Sequence, residues 1–281
     1  MRRILFCIVI SFFLTGTFWF EELFAPDAEL WPRWKRHTPE SVAKIDHSNW
    51  DFLLKTYVRS GQDGVNRFAY SRLSAADAQQ LHKYVQNMAS VLISKYNRRE
   101  QFAYWINLYN ALTTQVILTH YPISSIRKID LGNAGWAGGP WAATLIAVEG
   151  EKLSLHDIAH RILRPVWRDP RIHYAITCGS IGCPNLRRDA YEGDTVNRVL
   201  ESAARDFVNN HRGVNVEDGD LIVSSIYFWF QTDFGDSDEA VLEHLRRYAG
   251  PGLRSELEGL KTITNHRFNW SLNSIDLVLE G

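Results

Sequence analysis

Between Arg98 and His120 the apolar residues Trp105, Ile106, Leu108, Tyr109, Leu112, Val116 and Ile117 cover more than half of a helical circumference, which predicts a largely buried helix over this stretch. Glu100, Asn107, Asn110 and Thr114 fall on one narrow stripe of it, because successive residues turn by about 100°. A polar stripe on such a helix faces water, satisfies a neighbouring backbone, or lines a site. Upstream, Asp51–Val58 is apolar-patterned and ends at Ser60-Gly61, Asp63-Gly64 and Asn66 mark a turn, and Phe68–Tyr70 reads as a short strand. Ser74 caps a helix running to about Ser90. From Trp141 the period becomes strand-like: Ala143–Val148, Glu149-Gly150 and Glu151–Leu155 predict a hairpin. Ser154 caps a helix from His156 to about Leu163 that Pro165 closes, and Ile172–Thr177 reads as a buried strand. Asn197–Asn209 is helical, Val214–Val216 with Leu221–Ser224 is a second hairpin, and Ser237–Tyr248 is a helix stopped by Gly250-Pro251. Helices mixed with antiparallel hairpins, without regular βαβ alternation, predict an α+β fold: a single domain with a central mixed or antiparallel sheet and packed helices.

The first residues change the picture of where this domain works. Arg2 and Arg3 precede an uncharged run from Ile4 to Phe20, the layout of a secretory signal. Its most apolar part, Ile4–Leu14, suits a signal core and is short for a spanning helix; left uncut, the whole run would serve as a tilted anchor. Residues 1–28 are therefore expected to be a signal peptide or N-terminal membrane anchor and residues 29–281 one globular domain, exported to the periplasm or exterior or held at the membrane. Residues 1–28 contain two of the 31 basic and three of the 32 acidic side chains, so the remainder is formally neutral. No basic run argues for nucleic acid, and contact with a membrane is expected only through the N-terminal segment. With 45% hydrophobic residues and ten tryptophans, the chain can bury one large core. No repeat and no cofactor-binding motif interrupts it, and nothing in it identifies a protein partner.

The chemistry concentrates after Arg171. Apart from Cys7, the cysteines are Cys178 and Cys183, in Cys-Gly-Ser-Ile-Gly-Cys. A cysteine where the chain leaves a strand, followed by Gly-Ser, meets backbone amides that lower a thiol pKa and form an oxyanion corner. Such a thiolate needs a base. In an extended strand His173 and Cys178 would lie on opposite faces and about 16 Å apart, so His160, on the preceding helix, is the better partner and His173 the reserve. Asn107 or Asn110 would orient the base or hold the oxyanion. Three readings of these residues stand side by side. Cys178 is a nucleophile; or the two cysteines form a disulfide, as exported pairs commonly do; or they hold zinc with His156 and His160. No metal is assigned, since Cys-x4-Cys is a weak zinc spacing.

Gln101–Leu112, Leu153–Arg164 and Asp169–Ser180 resemble the successive motifs of the family called domain of unknown function 547. Cys183-Pro-Asn-Leu186, Ser224–Phe230 with Asp233-Phe-Gly235, and Asn269-Trp-Ser-Leu-Asn273 continue the resemblance, which spans about residues 30–273. The family pattern has Glu where this chain has Ala159, whereas His160 and Arg164 match; a base oriented by that Glu elsewhere must use another group here. Plant members keep Cys178 but have Ser at the position of Cys183, which implies a role for Cys178 without a disulfide partner. Relatives fused to a glutaredoxin imply thiol chemistry by association, with a γ-glutamyl or peptide substrate as the guess.

The expectation is a thiol-dependent hydrolase or acyl-transferase, distantly like papain or transglutaminase, attacking the amide or thioester carbonyl of a small molecule or peptide. The alternative is a non-catalytic binding or scaffold domain of the envelope with a structural Cys178–Cys183 disulfide.

Overall fold

The structure, a computed structural model, describes residues 25–132 and 138–276, so the signal or anchor expected from the N-terminal run lies almost wholly outside the described residues. In chain order the α-helices are α1 (Ser48–Tyr57), α2 (Ala75–Ala89), α3 (Arg98–His120), α4 (Arg164–Trp167), α5 (Val196–Val208), α6 (Ser225–Trp229), α7 (Asp238–Tyr248) and α8 (Pro251–Glu256). The strands are β1 (Val58–Ser60), β2 (Asn66–Phe68), β3 (Ile146–Val148), β4 (Glu151–Leu153), β5 (Val214–Glu217), β6 (Asp220–Ser224) and β7 (Asn265–Arg267). The fold is α+β. Its strands make two two-stranded antiparallel sheets, β1-β2 and β3-β4, and a mixed sheet β5-β6-β7 in which β7 runs parallel to β6. The three sheets are small, and the long, largely buried α3 runs through the larger core. Among the described residues no helix is long and apolar enough to cross a membrane.

α3 has the bounds its pattern predicts because both ends are marked. Asn97 accepts hydrogen bonds from the Arg99 and Glu100 amides, and Tyr121 leaves the helix in an extended conformation before Pro122. Seventeen of its residues are buried, including the polar stripe. That stripe satisfies neighbouring backbone. Glu100 accepts from the Ile45 amide at 3.1 Å, Asn107 binds both the backbone carbonyl and the backbone amide of Tyr191, and Thr114 donates to the Asn110 carbonyl. Around α3 packs one core, and a second gathers Tyr174 with α5, α6, α7 and the β5-β6 sheet.

Two expected elements differ. The helix beginning after Ser154 is π-wound over Asp157–Leu163, and Pro165 does not close it; the chain runs on as α4 to Trp167, where Arg168 turns left-handed. The Arg164 amide reaches back five residues to Ala159, leaving the His160 carbonyl free, and Pro165, having no N–H, frees that of Arg161. The extended segment 25–31 fills both vacancies: Glu29 N–H donates to His160 O at 2.9 Å and Trp31 N–H to Arg161 O at 3.1 Å.

The strand expected at Ile172–Thr177 is also absent. Asp169 accepts from the Arg171 amide and Pro170 presets φ, so residues Pro170–Tyr174 form a 3-10 turn and the chain continues irregularly to Cys178. The 16 Å separation of His173 from Cys178 rested on that strand and falls with it.

Candidate functional site

A cleft opens at the seam between the two cores and brings His160, His173, Cys178 and Cys183 to one place. Cys178 and Cys183 are joined as a disulfide, with their Cα atoms 6.0 Å apart. Cys178 is partly exposed and Cys183 is buried. The loop between them is fixed from several sides. Asn110 donates to the Ala175 carbonyl at 2.9 Å and accepts from the Thr177 amide at 2.9 Å. Gly179 is left-handed (φ 74°), and a Cβ there would collide with Ile117 of α3. From the other side Ile181 N–H binds Ser271 O, Gly182 N–H binds Asn269 O, and Asn273 N–H binds Gly179 O. The Asn269–Asn273 motif is thus the clamp on the cysteine loop. Asn107 stands apart from this loop, holding Tyr191.

Behind the disulfide lies a charge system with Asp233 at its centre. Its Oδ2 accepts from His173 Nε2 at 2.6 Å and from Arg164 Nε at 2.5 Å. Burial pulls the Asp233 carboxyl upward, but the hydrogen bonds from His173 and Arg164 outweigh it and hold the pKa at about 2. An ionised carboxylate on Nε2 assigns the neutral His173 proton to that nitrogen, leaving Nδ1 as the basic one; Nδ1 has no hydrogen-bond partner among the described residues. Burial lowers the His173 pKa, opposed by Asp233.

His160 is in the opposite tautomeric situation. Arg164 Nη1 donates to its Nδ1 at 2.9 Å, so the neutral ring carries its proton on Nε2. Burial first, then the charge of Arg164 and the neighbouring His156 and His173, push its pKa well below the ordinary value. Arg164 also donates to the Pro26 carbonyl at 2.5 Å. Phe230 packs against the system: it stacks on His173 at 4.5 Å between centroids and lies 5.6 Å from His160, with the Arg164 guanidinium 4.7 Å from its centroid. His156 sits beside His160, but both sulfurs are in the disulfide, and among the described residues no group of three potential ligands could hold a metal.

Arg164 and Asp233 both fall in the motifs that resemble the family, but the sequence assigns neither a part in the site. Arg164 follows His160 by one helical turn, a spacing that sequence displays. Asp233 is 60 residues beyond His173, and only the fold brings it near.

No curated protein and no solved structure matches the chain. The motifs at Ser224–Phe230, Asp233–Gly235 and Asn269–Asn273 lie beyond the part that a family model covers. Residues 93–208, which carry α3, both histidines, Arg164 and the two cysteines, match the model of the family described as protein of unknown function, DUF547.

Proposed function

We propose that the chain is a thiol-dependent hydrolase or acyl-transferase of the cell envelope, with Cys178 as nucleophile once its disulfide to Cys183 is opened. The observation that carries this reading is the 2.6 Å hydrogen bond that Asp233 accepts from His173, a residue lining the same cleft as Cys178. A carboxylate fixing one nitrogen of a buried imidazole, in a cleft whose lining also includes a cysteine, has the form of the base-and-orienter half of a thiol triad. The base role thereby passes from His160 to His173. His160, with Nε2–H as its free polar atom, is suited to donate to a developing oxyanion. Asp233 does the orienting work that Ala159, in place of the family's Glu, cannot. Asn110 places the Thr177–Cys178 backbone.

In the reaction, His173 Nδ1 takes the Cys178 thiol proton as the sulfur adds to the carbonyl carbon. The proton then goes to the departing amine or thiol, leaving an acyl group on Cys178. Water, or a second acceptor, attacks that acyl-thioester with His173 again as base, and Cys178 is regenerated. The disulfide supports an oxidising location for the folded chain.

Its test is labelling and turnover on the same sample. After reduction and removal of the reductant, iodoacetamide should alkylate Cys178 in the folded protein with a midpoint below the free-thiol value of about 8.5. Cys183→Ser should hydrolyse an acyl N-acetylcysteamine thioester without any reductant, and Cys178→Ala should not. Absence of labelling in the reduced, folded protein ends the reading, as does full activity of Cys178→Ala.

The closed disulfide favours a second reading, a ligand-binding domain in which the bridge is structural. A bridge that stays intact under mild reductant while the protein binds ligand would select it.

A further inference from the structure

The walls of the cleft speak to what enters it. Six aromatic residues, Tyr109, Trp141, Trp229, Phe230, Phe268 and Trp270, line it, and among the described lining residues there is no Lys, Arg, Asp or Glu. Trp229, Phe268 and Trp270 form a continuous cluster, with ring centroids 4.9, 5.6 and 4.6 Å apart. The two lining histidines are driven toward the neutral form, His160 and His173 both by burial first. Asp233 binds His173 and Arg164 through Oδ2 and is not part of the cleft lining. No charged side chain is part of this lining, the guanidiniums of Arg164 and Arg127 lying against the rings of Phe230 and Trp270, so an ionised group entering the space would lose hydration without a counter-charge in the walls, whereas a hydrocarbon or aryl group would be covered on its faces by rings.

We propose that the acyl half of the substrate is apolar and uncharged: a thioester or amide of a medium-chain or aromatic acid. The zwitterionic γ-glutamyl and aminoacyl donors are disfavoured. This rests on the thiol reading for the reaction but not for the binding. The pocket's selectivity lies in its ring cluster, with Trp270, partly exposed at the mouth, as a specificity-determining residue. The acyl chain lies against Trp229 and Trp270, and its carbonyl carbon reaches Cys178. Attack by the Cys178 sulfur expels the thiol or amine with the proton held by His173, and hydrolysis returns the free acid.

Binding is measured by calorimetry on the full, oxidised protein, in which the disulfide is closed and no turnover occurs. The probes are S-octanoyl-N-acetylcysteamine, its S-acetyl counterpart, and γ-glutamyl-4-nitroanilide. The octanoyl probe should bind at least about tenfold tighter than either of the others, as a buried chain of several methylenes implies. Trp270→Ala should weaken the octanoyl probe by about tenfold or more while the circular dichroism spectrum stays native. Trp229→Leu is the second variant and should do the same. Equal or tighter binding of the γ-glutamyl probe overturns the proposal, as does octanoyl binding indifferent to both tryptophans. The two readings fail separately. Octanoyl binding without turnover by the reduced protein sinks the thiol mechanism and keeps the ligand class. Turnover of the γ-glutamyl probe in preference to the octanoyl thioester keeps the mechanism and sinks the ligand class.

Discussion

Asp233 is the residue on which three others depend, because Arg164 and His173 share its Oδ2 and His160 takes its tautomer from Arg164. Arg164 has a side chain only 2% exposed, so removing its counter-charge leaves a buried cation unpaired. Asp233→Asn should therefore cost about 3 kcal/mol in urea unfolding and, in the reduced protein, abolish thioester turnover by releasing His173 from its tautomer. Unchanged stability would mean that water or the Pro26 carbonyl is sufficient for Arg164. The disulfide, too, is asymmetric at the level of single atoms. Cys178 is partly exposed, whereas Cys183 is 2% exposed and accepts a hydrogen bond from the Cys178 amide at 3.1 Å. A small thiol should attack Cys178 and expel the Cys183 thiolate, whose charge that amide stabilises. Brief exposure to 2-mercaptoethanol, acid quenching and peptide mass analysis should find the adduct on Cys178. An adduct mainly on Cys183 would contradict this direction of opening.

At the scale of elements, α3 is the part of the fold most legible in the sequence, since its cap, its period and its stop agree. Its polar stripe was visible too, but which backbone each residue would meet was not, because Tyr191 and Thr177 are brought there by loops with no period. Here Asn107 and Asn110 divide. Each binds a carbonyl and an amide of a buried segment, so Asn→Ala at either should cost about 2 kcal/mol by orphaning both partners. Asn110→Ala should also change the alkylation rate of reduced Cys178, whereas Asn107→Ala should leave that rate alone. Equal effects of the two variants on the thiol would show that the stripe acts only through global stability. The helix carrying His160 was legible in position but not in winding. Its π-turn and the passage through Pro165 depend on segment 25–31 supplying the donors for two carbonyls, a tertiary compensation that a local pattern does not contain. The strand expected at Ile172–Thr177 failed for a similar reason. Apolar, β-branched residues fit a buried irregular segment as well as a strand, and Asn110, rather than a neighbouring strand, takes the Ala175 carbonyl and the Thr177 amide.

Across the whole molecule, two cores meet at the cleft, and each encloses a histidine that folding holds neutral. His47 lies 1% exposed against Tyr84, its Nδ1 2.7 Å from the phenol, and burial lowers its pKa to about 4. His244 faces Tyr174 in the second core, its Nε2 2.7 Å from that phenol, and burial first, then Arg247, also lowers it to about 4. In the unfolded chain both would titrate near about 6.5. Between that value and about 4 the unfolded state binds protons that the native state refuses, so stability rises with pH through this window. It is complete above about 6.5 and is lost progressively as pH falls toward 4, by about 3 kcal/mol for each histidine. Asp233, whose folded pKa of about 2 lies below its unfolded one, contributes in full across most of this range and loses its share only as pH falls further toward 2. The loss between pH 7 and 5 is therefore a histidine effect, and urea midpoints at pH 7, 6 and 5 should fall steadily. His47→Gln keeps the size and polarity needed beside Tyr84 but cannot titrate. Its slope of stability against pH should be shallower than that of the parent by about 1.4 kcal/mol per pH unit, the effect of one proton. A variant with the parent's slope would show that His47 is protonated in the folded state and that the first core is open to water at Tyr84.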